Sequence, residues 1–190
     1  MNSSDLYIFR DIPEITTERL KLRMITQHDL YDVYEYSKNP ETSRFLLWSA
    51  HRSVYDTKML LNTIKKKYKQ CDFFEWGIEY QGKMIGTAGF TSFQIINDSA
   101  EIGYVINPEY KGKGIATEAV KAVIKFGFEN LALNRISAKY IIGNEASLRV
   151  MIKSGMKPEG VHRSMIYTKG KYVDVGVGAI LKNDYFNAKY

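Results

Sequence analysis

The chain has 190 residues, 45% of them hydrophobic, and a formal net charge of +6. That is enough apolar material for one sizeable core, and the basic residues are too evenly spread to form a dedicated nucleic-acid arm. A single cysteine, Cys71, excludes an internal disulfide framework, and His28, His51 and His162 are too scattered for a metal-ligand set, so no metal is expected. No linker, low-complexity tract or internal repeat divides the chain, and no segment approaches the roughly 18 apolar residues of a membrane span. One domain over residues 1–190, cytoplasmic and independent of membranes, is the expectation.

In chain order, Leu20, Leu22 and Met24 alternate with Arg19, Lys21 and Arg23, the period-two pattern of a strand with one buried face. Helical patterns follow from about His28 to Ser37 and from about Val54 to Lys69. Ser53 with Asp56 three residues on forms a capping pair for the second, which carries the solvated run Lys65-Lys66-Lys67. Three strand-like runs come next: FFEWGIEY, then KMIGTAGFTSF after the turn Gln81-Gly82, then AEIGYVIN after a turn near Asn97-Asp98. Such short turns predict an antiparallel meander. Ala116, Ala119, Val120, Val123, Ile124, Gly127, Phe128 and Leu131 then recur at helical spacing as a buried stripe. A strand at RISAKYII, a short helix from about Ala146 to Ser154 stopped by Gly155, and a hairpin of roughly Pro158 to Tyr167 and Lys171 to Leu181 complete the chain. The order β-α-α-β-β-β-α-β-α-β-β predicts an α+β, or mixed α/β, domain on a mostly antiparallel sheet.

The chemistry concentrates at NPEYKGKGIATEAV, where Gly112 and Gly114 sit beside Lys111 and Lys113 at a helix start. Unpaired backbone N–H groups, the positive helix end and close backbone approach suit a pyrophosphate. A Walker A loop is absent, because Ile115 and Ala116 follow Gly114. A dinucleotide fingerprint is absent too, because Thr117 and Ile136 stand where a small residue and an acid are required. A plain strand-to-helix turn stays open as the alternative. In the preceding strand Glu101 shares a side with Gly103 and Val105 by alternation, which makes it the candidate general base, with a solvent-facing glutamate as the bland alternative. Cys71 has no histidine in a defined relation to it and is not expected to carry an acyl group. Trp48, in a loop, is a candidate for the lining of an acceptor groove.

The segment Lys111-Gly112-Lys113-Gly114-Ile115-Ala116 resembles the Q/R-x-x-G-x-G/A signature of the GNAT N-acetyltransferases, with Lys111 in place of the usual Gln or Arg. TERLKLR, AEIGYVI, GKGIATEAV, NEASLRVMIKSGM and EGVHR, in that order over about residues 16–184, resemble the RimJ/RimL branch, which acetylates protein N-termini. The resemblance implies a splayed central sheet with acetyl-CoA inserted beside AEIGYVI and against the glycine-turn helix. On that footing Lys111, Gly112, Lys113, Gly114, Ile115, Ala116 and Thr117 are expected on the cosubstrate, the backbone N–H groups near Val105 and Ile106 on its oxyanion, and Asn144 on its pantetheine arm. The superfamily's usual acid tyrosine falls at Met151, counted here among the cosubstrate contacts, and Ser147 is the expected substitute acid, with a simple helix-capping role for Asn144 and Ser147 at N3 as the alternative. The acceptor implied is a protein α-amine. A polyamine, an antibiotic amine or a metabolite is the alternative, and a basic nucleic-acid-binding module is disfavoured because no strand interleaves aromatics with lysines. Net charge favours acidic acceptors, and a homodimer is an allowed assembly.

Overall fold

The computed structural model describes residues 12–70 and 74–187; Cys71, Phe73 and the N-terminal segment before Ile12 lie outside the described residues. Among the described residues eight strands form one sheet: β1 (Ile15–Thr16), β2 (Leu20–Arg23), β3 (Phe74–Tyr80), β4 (Lys83–Gln94), β5 (Ser99–Ile106), β6 (Arg135–Ile141), β7 (Lys157–Thr168) and β8 (Lys171–Leu181). Their order is β1-β2-β3-β4-β5-β6-β8-β7, antiparallel throughout except for β5 beside β6. The helices are α1 (Leu30–Ser37), α2 (Pro40–Ser43), α3 (Val54–Gln70), α4 (Ile115–Glu129), α5 (Glu145–Lys153) and α6 (Lys182–Asn187). The fold is thus the expected mixed α/β one, a mostly antiparallel sheet flanked by helices. β1, α2 and α6 are additions to the expected order, being too short to leave a periodic pattern. α2 begins where the Asn39 side chain accepts the Glu41 N–H and Pro40 takes the first helical position.

Register assigns each strand residue to a face. The Trp76 ring meets Phe126 of α4, and Trp76, Ala88 and Tyr104 are cross-strand partners, so the even-numbered residues of β3 and β5 look toward α4 and α5. Odd residues such as Glu75, Gly77 and Glu101 look toward α1 and α3, where Ile25 packs beneath Gly77. A bulge at Thr91 reverses the parity of β4 but not of β5, pairing Phe90 with Ile102 and Ser92 with Glu101. The core has two sides: Trp76, Phe90, Ile102, Val123, Phe126 and Ile136 are buried on the even face, and Ile25, Val33, Leu61, Ile64 and Tyr68 are buried on the side of α1 and α3. On the opposite face Arg23 donates to both Asp29 and Glu79, closing the turn between β2 and α1 with an ion network.

The parallel ladder between β5 and β6 is short. It runs from Ser99↔Arg135 to Ile102↔Ala138 and stops, while β6 goes on pairing with β8 as far as Ile141↔Val175. Beyond Ile102 the two strands part, and Gly103–Ile106 present one backbone edge without a strand partner. The expected splay is this gap in the sheet.

Candidate active site

A cavity of about 740 Å³ occupies the gap, within the roughly 300–1,000 Å³ usual for small-molecule sites. It passes through the sheet. On the α4/α5 face its lining includes Tyr104, Tyr140, Asn144, Ser147 and Val150, and on the α1/α3 face Glu101, Gly103, Lys139 and Phe45.

The glycine turn closes one end. Gly112 and Gly114 have φ of +78° and +79°, left-handed values that side chains with a Cβ resist, and Gly114 as N-cap contributes no side chain to the first-turn N–H groups of α4. Ile115, Ala116 and Thr117 of that first turn line the cavity, as do Lys111, Gly112 and Gly114. Lys113 does not line it; its ammonium lies 5.0 Å over the Tyr110 ring. The turn is tied to the β1–β2 connection by residues whose role was not legible in the sequence. Arg19 donates through Nη1 to the Lys113 carbonyl at 2.9 Å and through Nε to Glu118 at 2.7 Å, and Thr17 donates to the same carboxylate at 2.6 Å. Burial pushes the Glu118 carboxyl up, but Thr17 and Arg19 together outweigh it and hold it below the usual range. Blocks about a hundred residues apart thus fix one phosphate-sized turn.

Asn144 and Ser147 both line the cavity. Asn144 caps α5, its side-chain oxygen accepting the Ser147 N–H at 3.3 Å, which leaves its amide N–H₂ free to donate. The Ser147 hydroxyl lies 2.8 Å from the Tyr104 hydroxyl, which also reaches the Ser147 carbonyl at 3.0 Å. A carbonyl can only accept, so when the phenol donates there, the serine hydroxyl donates to the phenolic oxygen. Burial drives the Tyr104 phenol up to about 12, against a smaller lowering by Ser147. It therefore stays protonated at neutral pH and can donate to a thiolate. Tyr104 was missed as a candidate because its place in AEIGYVI reads as core; only the fold brings a residue 43 positions away onto it. Met151, where the usual tyrosine was sought, is a correction: it is 1% exposed and lines no part of the cavity. One residue beyond Val150, it turns toward the sheet, where a Cβ on Gly178 would lie 2.8 Å from its methyl. Trp48 does not line the cavity either, packing 5.5 Å from the ring of His51.

On the opposite face Glu101 holds the Lys139 ammonium at 2.7 Å. Glu41, Thr42, Phe45, Leu46 and Leu47 roof this half, and Ile166 and Val175 of the β7/β8 hairpin close its side. Lys169 at the hairpin turn donates to the Ser43 carbonyl at the end of α2, tying roof to side. Val105 and Ile106 line the channel between the halves along the unpaired edge of β5. The arrangement suits a long thioester entering from one face and an amine from the other. Among the described residues no group of His, Cys, Asp or Glu side chains is placed to hold a metal ion, and no helix is long and apolar enough to cross a membrane.

Residues 19–157 match the acetyltransferase (GNAT) domain. The uncharacterized N-acetyltransferase YoaA of Bacillus subtilis is 35% identical over 90% of this chain and 97% of its own length. Spermidine N(1)-acetyltransferase of Escherichia coli is 25% identical over 80% of this chain and 81% of its own. Among solved structures, RimL, a ribosomal α-N-protein acetyltransferase in complex with coenzyme A, superposes with a TM-score of 0.80 at 22% identity, covering 89% of this chain and 98% of that one.

Proposed function

Because the chain belongs to the acetyltransferase (GNAT) family and is an N-acetyltransferase, we propose that it carries acetyl from acetyl-CoA directly to a protein N-terminal α-amine. The observation that carries this reading is the cavity through the split sheet, with Glu101 on one face and the Tyr104–Ser147 pair on the other. Lys111, Gly112 and the first-turn N–H groups of α4 hold the pyrophosphate of acetyl-CoA, and Asn144 donates to its pantetheine arm. The backbone N–H groups near Val105 and Ile106 meet the developing oxyanion. Glu101 takes the proton of the attacking amine, and Tyr104, held in place by Ser147, returns one to the departing thiolate. No acyl-enzyme is needed.

The amine's own chemistry favours the α-amine. With a pKa near 7.8 it is roughly 10–15% neutral at pH 7, against well below about 0.1% for a lysine amine near 10.4, a gap worth roughly 3.5 kcal/mol. A second reading, a small polyamine, is favoured by Glu41 and Glu101 both lining the acceptor half, where a polyamine nitrogen would exchange for Arg44 or Lys139 on a carboxylate, and is supported by the likeness to the spermidine enzyme. A steady-state screen with acetyl-CoA against N-terminal peptides, N-terminally blocked lysine peptides, spermidine and aminoglycosides, at low and high salt, separates the two. Turnover on free peptide N-termini supports the proposal; turnover on spermidine or aminoglycosides with none on any peptide overturns its acceptor class.

A further inference from the structure

Lys139 lines the acceptor half of the cavity as a primary amine 2.7 Å from the carboxylate assigned to deprotonate the acceptor. It is the first residue of β6 beyond Ala138, where pairing with β5 ends, so its backbone flanks the apex of the split. Register puts it on the same face as Glu101, since Glu101 pairs with Ser137. The other two lysines in the lining, Lys111 and Lys153, belong to the glycine turn and the last turn of α5, on the cosubstrate face. The Lys139 side chain is 36% exposed, and a pair this accessible stabilises a fold by only about 0–1 kcal/mol. Stability gives little reason to place an ammonium here.

We infer that Lys139 is itself an acetyl acceptor, so that the enzyme with acetyl-CoA bound and no acceptor present acetylates its own Nζ. This rests on the reading of the cavity as an acetyl-transfer site. Glu101 removes a proton from the ammonium and Nζ attacks the thioester carbonyl. The carbon–sulfur bond breaks, the Tyr104–Ser147 pair protonates the sulfur, and the nitrogen sheds a second proton to become an amide. Lysine ammonium and acetyl-CoA thus give acetyl-lysine, free coenzyme A thiol and one net proton, with no change of oxidation state. A lysine amine is neutral only about 0.04% of the time at pH 7, a penalty of roughly 10³–10⁴. A tethered, oriented nucleophile gains an effective concentration on the order of 10⁵–10⁸ M, which outweighs that penalty for a single turnover.

The test is intact-mass and peptide-mapping analysis of the full chain incubated with acetyl-CoA and no acceptor. Expected is one acetyl group on Lys139, appearing at least about ten-fold faster than on the exposed helix lysines Lys65 and Lys66. Its rate should not depend on enzyme concentration, and Glu101→Gln should slow it at least about ten-fold. Lys139→Arg, which keeps a cation beside Glu101, should show no preferred site. Calorimetry of acetyl-CoA binding and turnover on the best acceptor from the screen are measured on the same preparation. Binding and turnover with Lys139 modified no faster than the surface lysines, or at a rate proportional to enzyme concentration, overturns self-acetylation and leaves the proposed function standing. Absence of acetyl-CoA binding overturns both.

Discussion

Tyr104 and Glu101 sit three residues apart on β5 and face opposite sides of the sheet, so in the proposed mechanism one strand serves both the leaving group and the nucleophile. Tyr104→Phe is expected to lower kcat by about 10²-fold with little change in KM for acetyl-CoA, because the phenol acts on the thiolate and not on the bound thioester. Ser147→Ala should lose less, since Tyr104 can still donate. An equal rise in KM and no fall in kcat would remove Tyr104 from the chemistry. Burial raises this phenol to about 12, so its protonated form persists across the ordinary assay range and kcat should not fall as pH rises from about 7 to about 9.5. Glu101→Gln should cost about 10–100-fold at pH 7, and the deficit should shrink with rising pH as more of the α-amine is already neutral. A pH–rate profile of both variants reads these effects directly.

At the scale of elements, the turn entering α4 is held from outside by the connection between β1 and β2. Gly112→Asp should repel the pyrophosphate, and Gly114→Ala strains a residue at φ +79°, so each should weaken acetyl-CoA binding, by roughly ten-fold or more for the aspartate. Arg19→Ala should act at a distance. Without its bonds to Lys113 and Glu118 the turn loses its fixed shape, and the calorimetric Kd should rise by about three- to ten-fold. The same tie is pH-sensitive in a defined direction. Glu118 has a depressed folded pKa, so its contribution is complete above about 4.3, its unfolded value, and is lost as pH falls through the folded value. Acid denaturation of Glu118→Gln beside the parent protein should show that loss removed.

Across the whole molecule, two carboxyl groups on the α1/α3 face pull stability in opposite directions. Asp29 is pushed up by burial, yet Arg23 and the Thr26 N–H outweigh that and hold it below the usual range. Asp29→Ala, which strips Arg23 of one partner, should cost about 3 kcal/mol at neutral pH. Burial pushes Glu75 up, against the Thr87 hydroxyl that donates to it. A raised carboxyl penalises folding above its unfolded pKa, so Glu75→Gln should raise Tm at pH 7 and leave it unchanged near pH 4. Acetyl-CoA at about a hundred times its Kd should stabilise the chain by about 2.7 kcal/mol, a shift of about 5–10 °C at this length. An oligonucleotide should produce no such shift, and the reverse result would favour a nucleic-acid-binding role.

Period and turn chemistry are short-range, and what depends on them was legible in the sequence: the strand at Leu20–Arg23, the meander, the stripe of α4, the stop at Gly155, and the glycine turn with its family. The side shared by Glu101, Gly103 and Val105 was also legible, because alternation within a strand needs no partner. What no local pattern encodes is where two strands stop pairing and what then meets across the gap. The end of the β5–β6 ladder at Ile102 puts Lys139 onto Glu101, seats Tyr104 against Ser147 and opens the channel between the faces. The turn of α5 that presents Ser147 and Val150 to the cavity sends Met151 into the core, away from the cosubstrate contact expected of it. Helical spacing says which residues share a stripe, but only packing against the sheet decides which stripe faces the cavity and which faces the core.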